Sequence, residues 1–162
     1  MIRTPTASDV EHIKQLAVAV GMFSVDEVGF FDEILSGVLA GTLADHRWLL
    51  AERESGGVGG AAYFAPEPFA DRVWNLYFIA VAPEAQGQGI GGMLIGRVER
   101  ELVAAGDDVA RVLIVETSST EQYAPARAFY RSRGYDEEAR IRQFYGPADD
   151  KIVYWKSLTG AG

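Results

Sequence analysis

The chain has 162 residues, 48% hydrophobic and 23% charged, a balance that predicts one folded domain over 1–162 with a sizeable core. Its formal net charge of −8 argues against nucleic acid as a partner, because phosphate contacts need a basic face, while it is compatible with a cationic substrate. No cysteine is present, which excludes disulfides, thiolate metal sites and a cysteine nucleophile, and His12 and His46 lie too far apart to suggest a metal site. No leader-like segment and no apolar run of about 18 residues is visible, so no membrane partner and a cytoplasmic location are expected.

Ile2-Arg3 reads as a short first strand. Ser8-x-x-Glu11 is a capping-box pattern ahead of Ile13, Leu16, Ala17 and Val20 at helical spacing. Ser24-x-x-Glu27 is a second box, leading into Phe30, Phe31, Ile34, Leu35, Val38 and Leu39, with Gly41 as the stop. Arg47–Glu52 and Val58–Phe64 read as strands around the turn Ser55-Gly56-Gly57, and the run Gly59-Gly60-Ala61-Ala62 suggests close backbone approach. After a Pro-flanked loop, Val73–Val81 is a strand, and Ile90, Leu94, Val98 and Leu102 mark a helix closed by Gly106. Arg111–Glu116 reads as a buried strand, Ala124–Arg133 as a helix, and Tyr135–Tyr145 and Lys151–Leu158 as two strands joined by a turn over 146–150. The order β-α-α-β-β-β-α-β-α-β-β predicts an α/β (α+β) chain: a mixed, mostly antiparallel sheet of six to seven strands with helices on both faces.

The stretch between Val81 and the helix at Ile90 is the most informative. Gln86-Gly87-Gln88-Gly89-Ile90-Gly91-Gly92 places four glycines in six residues at a strand-to-helix turn. Such a turn aims backbone N–H groups at one point, where the helix N-terminus adds partial positive charge, and so forms a pyrophosphate cradle. The same residues spell Gly87-x-Gly89-x-x-Gly92, a dinucleotide fingerprint, with Glu116 in the place of the ribose-binding acid. Against that reading, Pro83–Gln86 intervene before the first glycine, and only 46 residues follow Glu116. No Gly-Lys-Ser/Thr follows, which rules out a P-loop. A tightly packed connection that binds nothing is the bland alternative.

Gln86-x-x-Gly89-x-Gly91 resembles the acetyl-CoA-binding signature of the GNAT superfamily of N-acetyltransferases. Ala126-Arg127-Ala128-Phe129-Tyr130-Arg131-Ser132-Arg133-Gly134-Tyr135 resembles that family's second signature, about 40 residues later with one buried strand between. The resemblance covers almost the whole chain. It implies the GNAT fold, acetyl-CoA as co-substrate, no metal, and transfer of acetyl to a primary amine of a small molecule or peptide. A non-catalytic acyl-CoA-binding sensor or subunit is the alternative, and a homodimer joined through the last two strands is compatible with the pattern.

The N–H groups of Gln88, Gly89, Ile90, Gly91 and Gly92 are expected to hold the pyrophosphate, with the Gln86 side chain beside it and Gly87 also in the cofactor-binding set. The resemblance gives the pantetheine arm and the oxyanion to the backbone of Ile79, Ala80 and Val81. Tyr130 is the expected acid for the departing thiolate. Tyr123 stands where many members carry a cofactor-contacting Asn. Among Arg97, Arg100, Arg127, Arg131 and Arg133, Arg127 is assigned to the cofactor. Many members carry a carboxylate early in the strand before the loop, and here Asn75 occupies that region. Glu116, at the end of the buried strand, is therefore the candidate base, with water held by Asn75, Tyr77 or Thr117 as the other route. Glu67 reads as a solvated charge or an acceptor contact. Phe64, Phe69, Trp74, Tyr77, Phe144 and Tyr145 are candidate walls of an acceptor pocket.

Overall fold

Apolar periodicity resolves in the computed structural model, which describes residues 1–159, into eleven helices and strands. In chain order they are β1 (Ile2–Arg3), α1 (Val10–Ala19), α2 (Phe30–Ala40), β2 (Arg47–Glu52), β3 (Val58–Pro66), β4 (Val73–Val81), α3 (Ile90–Ala105), β5 (Val112–Ser118), α4 (Ala124–Ser132), β6 (Asp136–Gly146) and β7 (Asp149–Ser157). The strands follow the sheet order β1-β2-β3-β4-β5-β7-β6. Pairs β1/β2, β2/β3, β5/β7 and β6/β7 are antiparallel, whereas β4 runs parallel to β5. The parallel ladder comprises Val73↔Val112, Trp74↔Leu113 and Asn75↔Ile114 and ends there. The element order and mostly antiparallel sheet agree with the sequence reading. Among the described residues no helix is long and apolar enough to cross a membrane.

The chain divides into two compact units. The first holds Met1–Ala65 and Phe78–Arg100. Its core is aromatic: Phe31 of α2 meets Trp48 of β2 edge-on at 5.6 Å and Phe78 of β4 at 5.3 Å. Ile13, Leu16 and Ala17 give α1 its buried stripe, as their spacing predicts. The entry to α1 differs from expectation. Asp9, not Glu11, returns to the chain, its Oδ2 accepting from the Thr6 N–H at 2.7 Å, while Arg3 donates to both carboxylate oxygens at 2.8 and 3.0 Å. That ion pair places the capping turn at Thr6 instead of Ser8. The Ser24–Glu27 box forms, with Glu27 Oε1 accepting from the Ser24 N–H at 3.0 Å and Ser24 Oγ from the Glu27 N–H at 3.2 Å. It closes a turn and not the helix, however, because Gly29, a poor helix former, precedes α2 at Phe30. Gly41 ends α2 at φ 78°, as expected.

The second unit holds Pro66–Tyr77 and the chain from Glu101 onward. β5 is almost wholly buried and pairs with β7 from Val112↔Ser157 to Ser118↔Lys151. It runs past Glu116 to Ser118, so Glu116 lies within the strand, opposite Val153, and not at its end. The Trp74 indole N–H donates to the Val109 carbonyl at 3.0 Å and ties β4 to the segment before β5. Phe64 and Trp74, taken from sequence as pocket walls, are 0% and 2% exposed and belong to the cores. The β6–β7 turn is tighter than expected, since pairing continues to Gly146↔Asp149.

Candidate active site

The glycine turn belongs to the first unit. β4 ends at Val81, a short 3₁₀ turn covers Pro83–Ala85, and Gln86 is extended before α3 opens at Ile90. The Ala82 N–H donates to the Gly59 carbonyl at 2.8 Å and Ala85 is fully buried, so the approach to the turn is anchored from below. Gly87 and Gly89 both sit at φ 81°, a left-handed conformation that disfavours any side chain. A Cβ at either position meets nothing within 4 Å, so the backbone angle dictates glycine there and the space beside it stays open.

Gly60 is the opposite case. A Cβ there would come 2.8 Å from the Ala80 carbonyl and 3.0 Å from the side chains of Ile90 and Leu94. Close packing of β3 beneath β4 and α3 requires the missing side chain, as the small-residue run suggests.

No acidic residue occupies the first turn of α3, and the Met93 N–H donates to the Gly89 carbonyl at 3.0 Å where the helix opens. Together with the open face at Gly87 and Gly89, a helix N-terminus free of acidic side chains fits a pyrophosphate. Gln86 is exposed, and its Nε2 lies 3.4 Å from the Val81 carbonyl. Upstream, Ile79 and Val81 are half-buried and Ala80 is 6% exposed.

The remaining predicted residues belong to the second unit. Tyr130 is 5% exposed, with ring centroids 5.5 Å from Tyr154 and 6.1 Å from Tyr135. Burial, and then the neighbouring Tyr154, push its phenol well above the usual range, so it keeps its proton at neutral pH. Tyr123 caps α4 and is half-buried; burial, then the Asp149 carboxylate, raise its phenol too. Arg127 donates through Nη1 to the carbonyls of Ser118 at 2.8 Å and Thr120 at 2.7 Å, clipping the segment after β5 to α4. Arg131 donates to the Tyr154 hydroxyl at 3.0 Å, and Arg133 lies 5.9 Å from the Phe129 ring centroid.

Glu116 is half-buried and pairs with the Lys151 ammonium at 3.2 Å, itself 3.5 Å over the Phe144 ring. Tyr145 is pushed up to about 12 by burial first, then by the charges of Glu116 and Asp149. Those residues therefore share one electrostatic neighbourhood. Among the described residues no group of three or more His, Cys, Asp or Glu is placed to hold a metal ion.

The structure also assembles a cluster that the sequence left as separate residues. Glu67 Oε1 accepts from Asn75 Nδ2 at 2.6 Å and from the Tyr77 hydroxyl at 2.9 Å. Asn75 is 1% exposed, and its Oδ1 has no donor among the described residues. The one available signal was the alternation of Asn75 and Tyr77, which puts both on one face of β4. The reach of Glu67 back across an irregular loop had none.

Residues 44–137 match the family model described as an acetyltransferase (GNAT) domain. A mycothiol acetyltransferase from Rothia mucilaginosa is 31% identical over 120 residues, which is 72% of this chain and 32% of that protein. The chain thus spans about a third of that relative's length. Among solved structures, a proposed acetyltransferase of the GNAT family from Desulfovibrio desulfuricans superposes with TM-score 0.88 at 29% identity, covering 98% of this chain and 99% of the other. A Salmonella typhimurium protein solved with acetyl-CoA as its cofactor gives TM-score 0.80 at 23% identity, over 100% and 95% of the two chains. At that identity the likeness speaks for the fold alone.

Proposed function

The chain belongs to the acetyltransferase (GNAT) family, and from that premise we propose that it transfers an acetyl group from acetyl-CoA to a primary amine of a small molecule or peptide in the cytoplasm. The observation that carries this reading is the turn at Gly87 and Gly89, both at φ 81° with open space beside them, at the amide-rich start of α3. These amides, with Gln86 through Gly92, hold the pyrophosphate. The strand backbone of Ile79, Ala80 and Val81 receives the pantetheine arm as an added strand, since the parallel ladder of β4 ends at Asn75. Acetyl-CoA supplies an activated acetyl thioester. Tyr130, buried and protonated, hands its proton to the departing sulfur. Glu116 takes a proton from the amine, directly or through water. Tyr123 and Arg127, at the start of α4, line the cofactor. A cysteine-free chain needs no oxidising compartment, which suits the location.

Two copies pair along β6, the edge strand, in which every residue from Asp136 to Tyr145 is exposed. Light scattering reads that stoichiometry, and a strictly monomeric mass removes the dimer. For the activity, a panel of amines is incubated with acetyl-CoA and the free thiol measured. Amine-dependent thiol release with acetylated product supports the enzyme. Tight acetyl-CoA binding with no amine turned over supports the sensor reading instead.

A further inference from the structure

We propose that Glu67 is the group that receives the positively charged amine of the acetyl acceptor, with Asn75 and Tyr77 as its positioning residues. This rests on the acetyl-transfer reading and adds to it the charge state of the acceptor and the residue that selects it.

Glu67 is half-buried, yet both of its donors, the Asn75 amide and the Tyr77 hydroxyl, are neutral. Among the described residues no Lys, Arg or His pairs with it, and its Oε2 accepts no hydrogen bond. Several other partly covered carboxylates do have a cation, although among the described residues Asp149, like Glu67, is met only by neutral donors, the Ser118 hydroxyl and the Ser119 N–H. Asp9 has Arg3 at 2.8 Å, Glu116 has Lys151 at 3.2 Å, and Asp150 has Arg140 at 2.6 Å. A carboxylate withdrawn from water without a cation is unfavourable unless a cation arrives from outside.

The fold also sacrifices a hydrogen bond to hold it. Turning Nδ2 of Asn75 to the carboxylate leaves Oδ1 buried without a donor. The reverse orientation would set an amide oxygen against a carboxylate oxygen, so the chemistry fixes the rotamer. An apolar side chain at 75 would bury just as well with no orphaned atom, so burial alone does not account for the amide.

The segment that carries Glu67 is pinned in an unfavourable backbone. Phe69 and Arg72 take φ 67° and 58°, values that side-chain-bearing residues seldom adopt. It is held there by the Glu67 N–H donating to the Val73 carbonyl at 2.8 Å, by Arg111 donating to the Asp71 carbonyl at 2.9 Å and by Arg72 donating to the Asp107 carbonyl at 3.0 Å. A merely solvated charge would need none of this. An ammonium is donor-only and positive, which matches an acceptor-only oxygen in a partly dry setting. Asn75 and Tyr77 lie on β4, the strand whose Ile79–Val81 backbone is given above to the pantetheine arm.

The test titrates the full chain, loaded with coenzyme A, with n-butylammonium chloride and separately with n-butanol, following the Asn75 side-chain NH₂ by NMR. The expected result is a saturable shift with butylammonium and none with butanol. In Glu67→Gln the apparent affinity should fall by about tenfold, the order a charge-assisted hydrogen bond supplies. Tyr77→Phe, which keeps the carboxylate, should weaken binding to a smaller extent and provides a second variant should Glu67→Gln fold poorly. No saturable shift, or equal affinity in wild type and both variants, overturns the proposal. Acetyl-CoA thermal shifts on the same samples separate the two claims: loss of cofactor binding in the wild type sinks the acetyl-transfer reading, whereas retained binding without a butylammonium response sinks Glu67 alone.

Discussion

The glycine turn and the Glu67 cluster would offer their proposed ligands different atoms. At Gly87 and Gly89 the groups on offer are main-chain amides, and what matters is a φ of 81° that only the absence of a side chain makes easy. At Glu67 they are side-chain oxygens and nitrogens, drawn together over 2.6 and 2.9 Å from positions eight and ten residues apart. Backbone recognition is written in the sequence as a short local pattern, because glycine is the instruction. Side-chain recognition is written nowhere locally, because its geometry exists only after a loop with two left-handed residues has folded. A cofactor common to a family suits the first device, and an acceptor that differs between relatives suits the second.

Substitutions can sharpen or break this contrast. The largest effect is expected at Tyr130, the acid proposed above for the departing thiolate. Tyr130→Phe should retain acetyl-CoA affinity and lower kcat by roughly tenfold to a thousandfold with any amine that the wild type acetylates. Steady-state kinetics beside a thermal-shift titration measure both, and an unchanged kcat makes Tyr130 a packing residue of the Tyr154 cluster. Next is Gly60→Ala, which places a Cβ 2.8 Å from the Ala80 carbonyl of β4. It should cost about 1–3 kcal/mol by overpacking, read in denaturant unfolding, whereas Gly56→Ala, with open space, suffers only its φ of 91°. Equal losses at the two sites would show that close approach is not what Gly60 provides.

Smaller again is Glu116→Gln. If Glu116 is the base, kcat/KM falls and the acidic limb of the pH–rate profile disappears, because the group no longer titrates. Its ion pair with Lys151 already gives it structural employment, so a profile identical to wild type removes it from the mechanism and leaves proton removal to water. The smallest effect concerns stability. Arg3 holds the Asp9 carboxyl well below the usual carboxylate range. A depressed acid contributes stability above its unfolded pKa near 4, and that contribution is lost as pH falls below it. Thermal melts should show Asp9→Asn lowering Tm at pH 7 by about 2–4 °C per kcal/mol lost, with the gap to wild type narrowing toward pH 2. A gap that is constant with pH would contradict that linkage.

How much was legible follows the same division. The signals at Gly41, the Gly59-Gly60 run, the β4 apolar stretch and the apolar residues four apart in α3 are short-range, and the fold realises them where the sequence puts them. The capping turn at Thr6 was not legible, because its decisive partner, Arg3, belongs to a strand and acts through the tertiary ion pair with Asp9. Glu27 satisfies its box with Ser24, yet a glycine two residues later delays the helix, a competition that pattern reading does not weigh. Glu116 was visible as a carboxylate on a buried strand, but its cation on β7 was not, since β5 and β7 are neighbours only in the folded sheet.

The claim on which the rest depends is that the turn before α3 binds acetyl-CoA through its backbone. Calorimetric titration of acetyl-CoA into wild type and Gly89→Glu tests it most directly. The account predicts saturable heat with the wild type and none with the variant, since a glutamate there strains the φ of 81° and fills the cradle with negative charge, while melting shows the variant still folded. Absence of heat with the wild type, or the same affinity in both proteins, would contradict it.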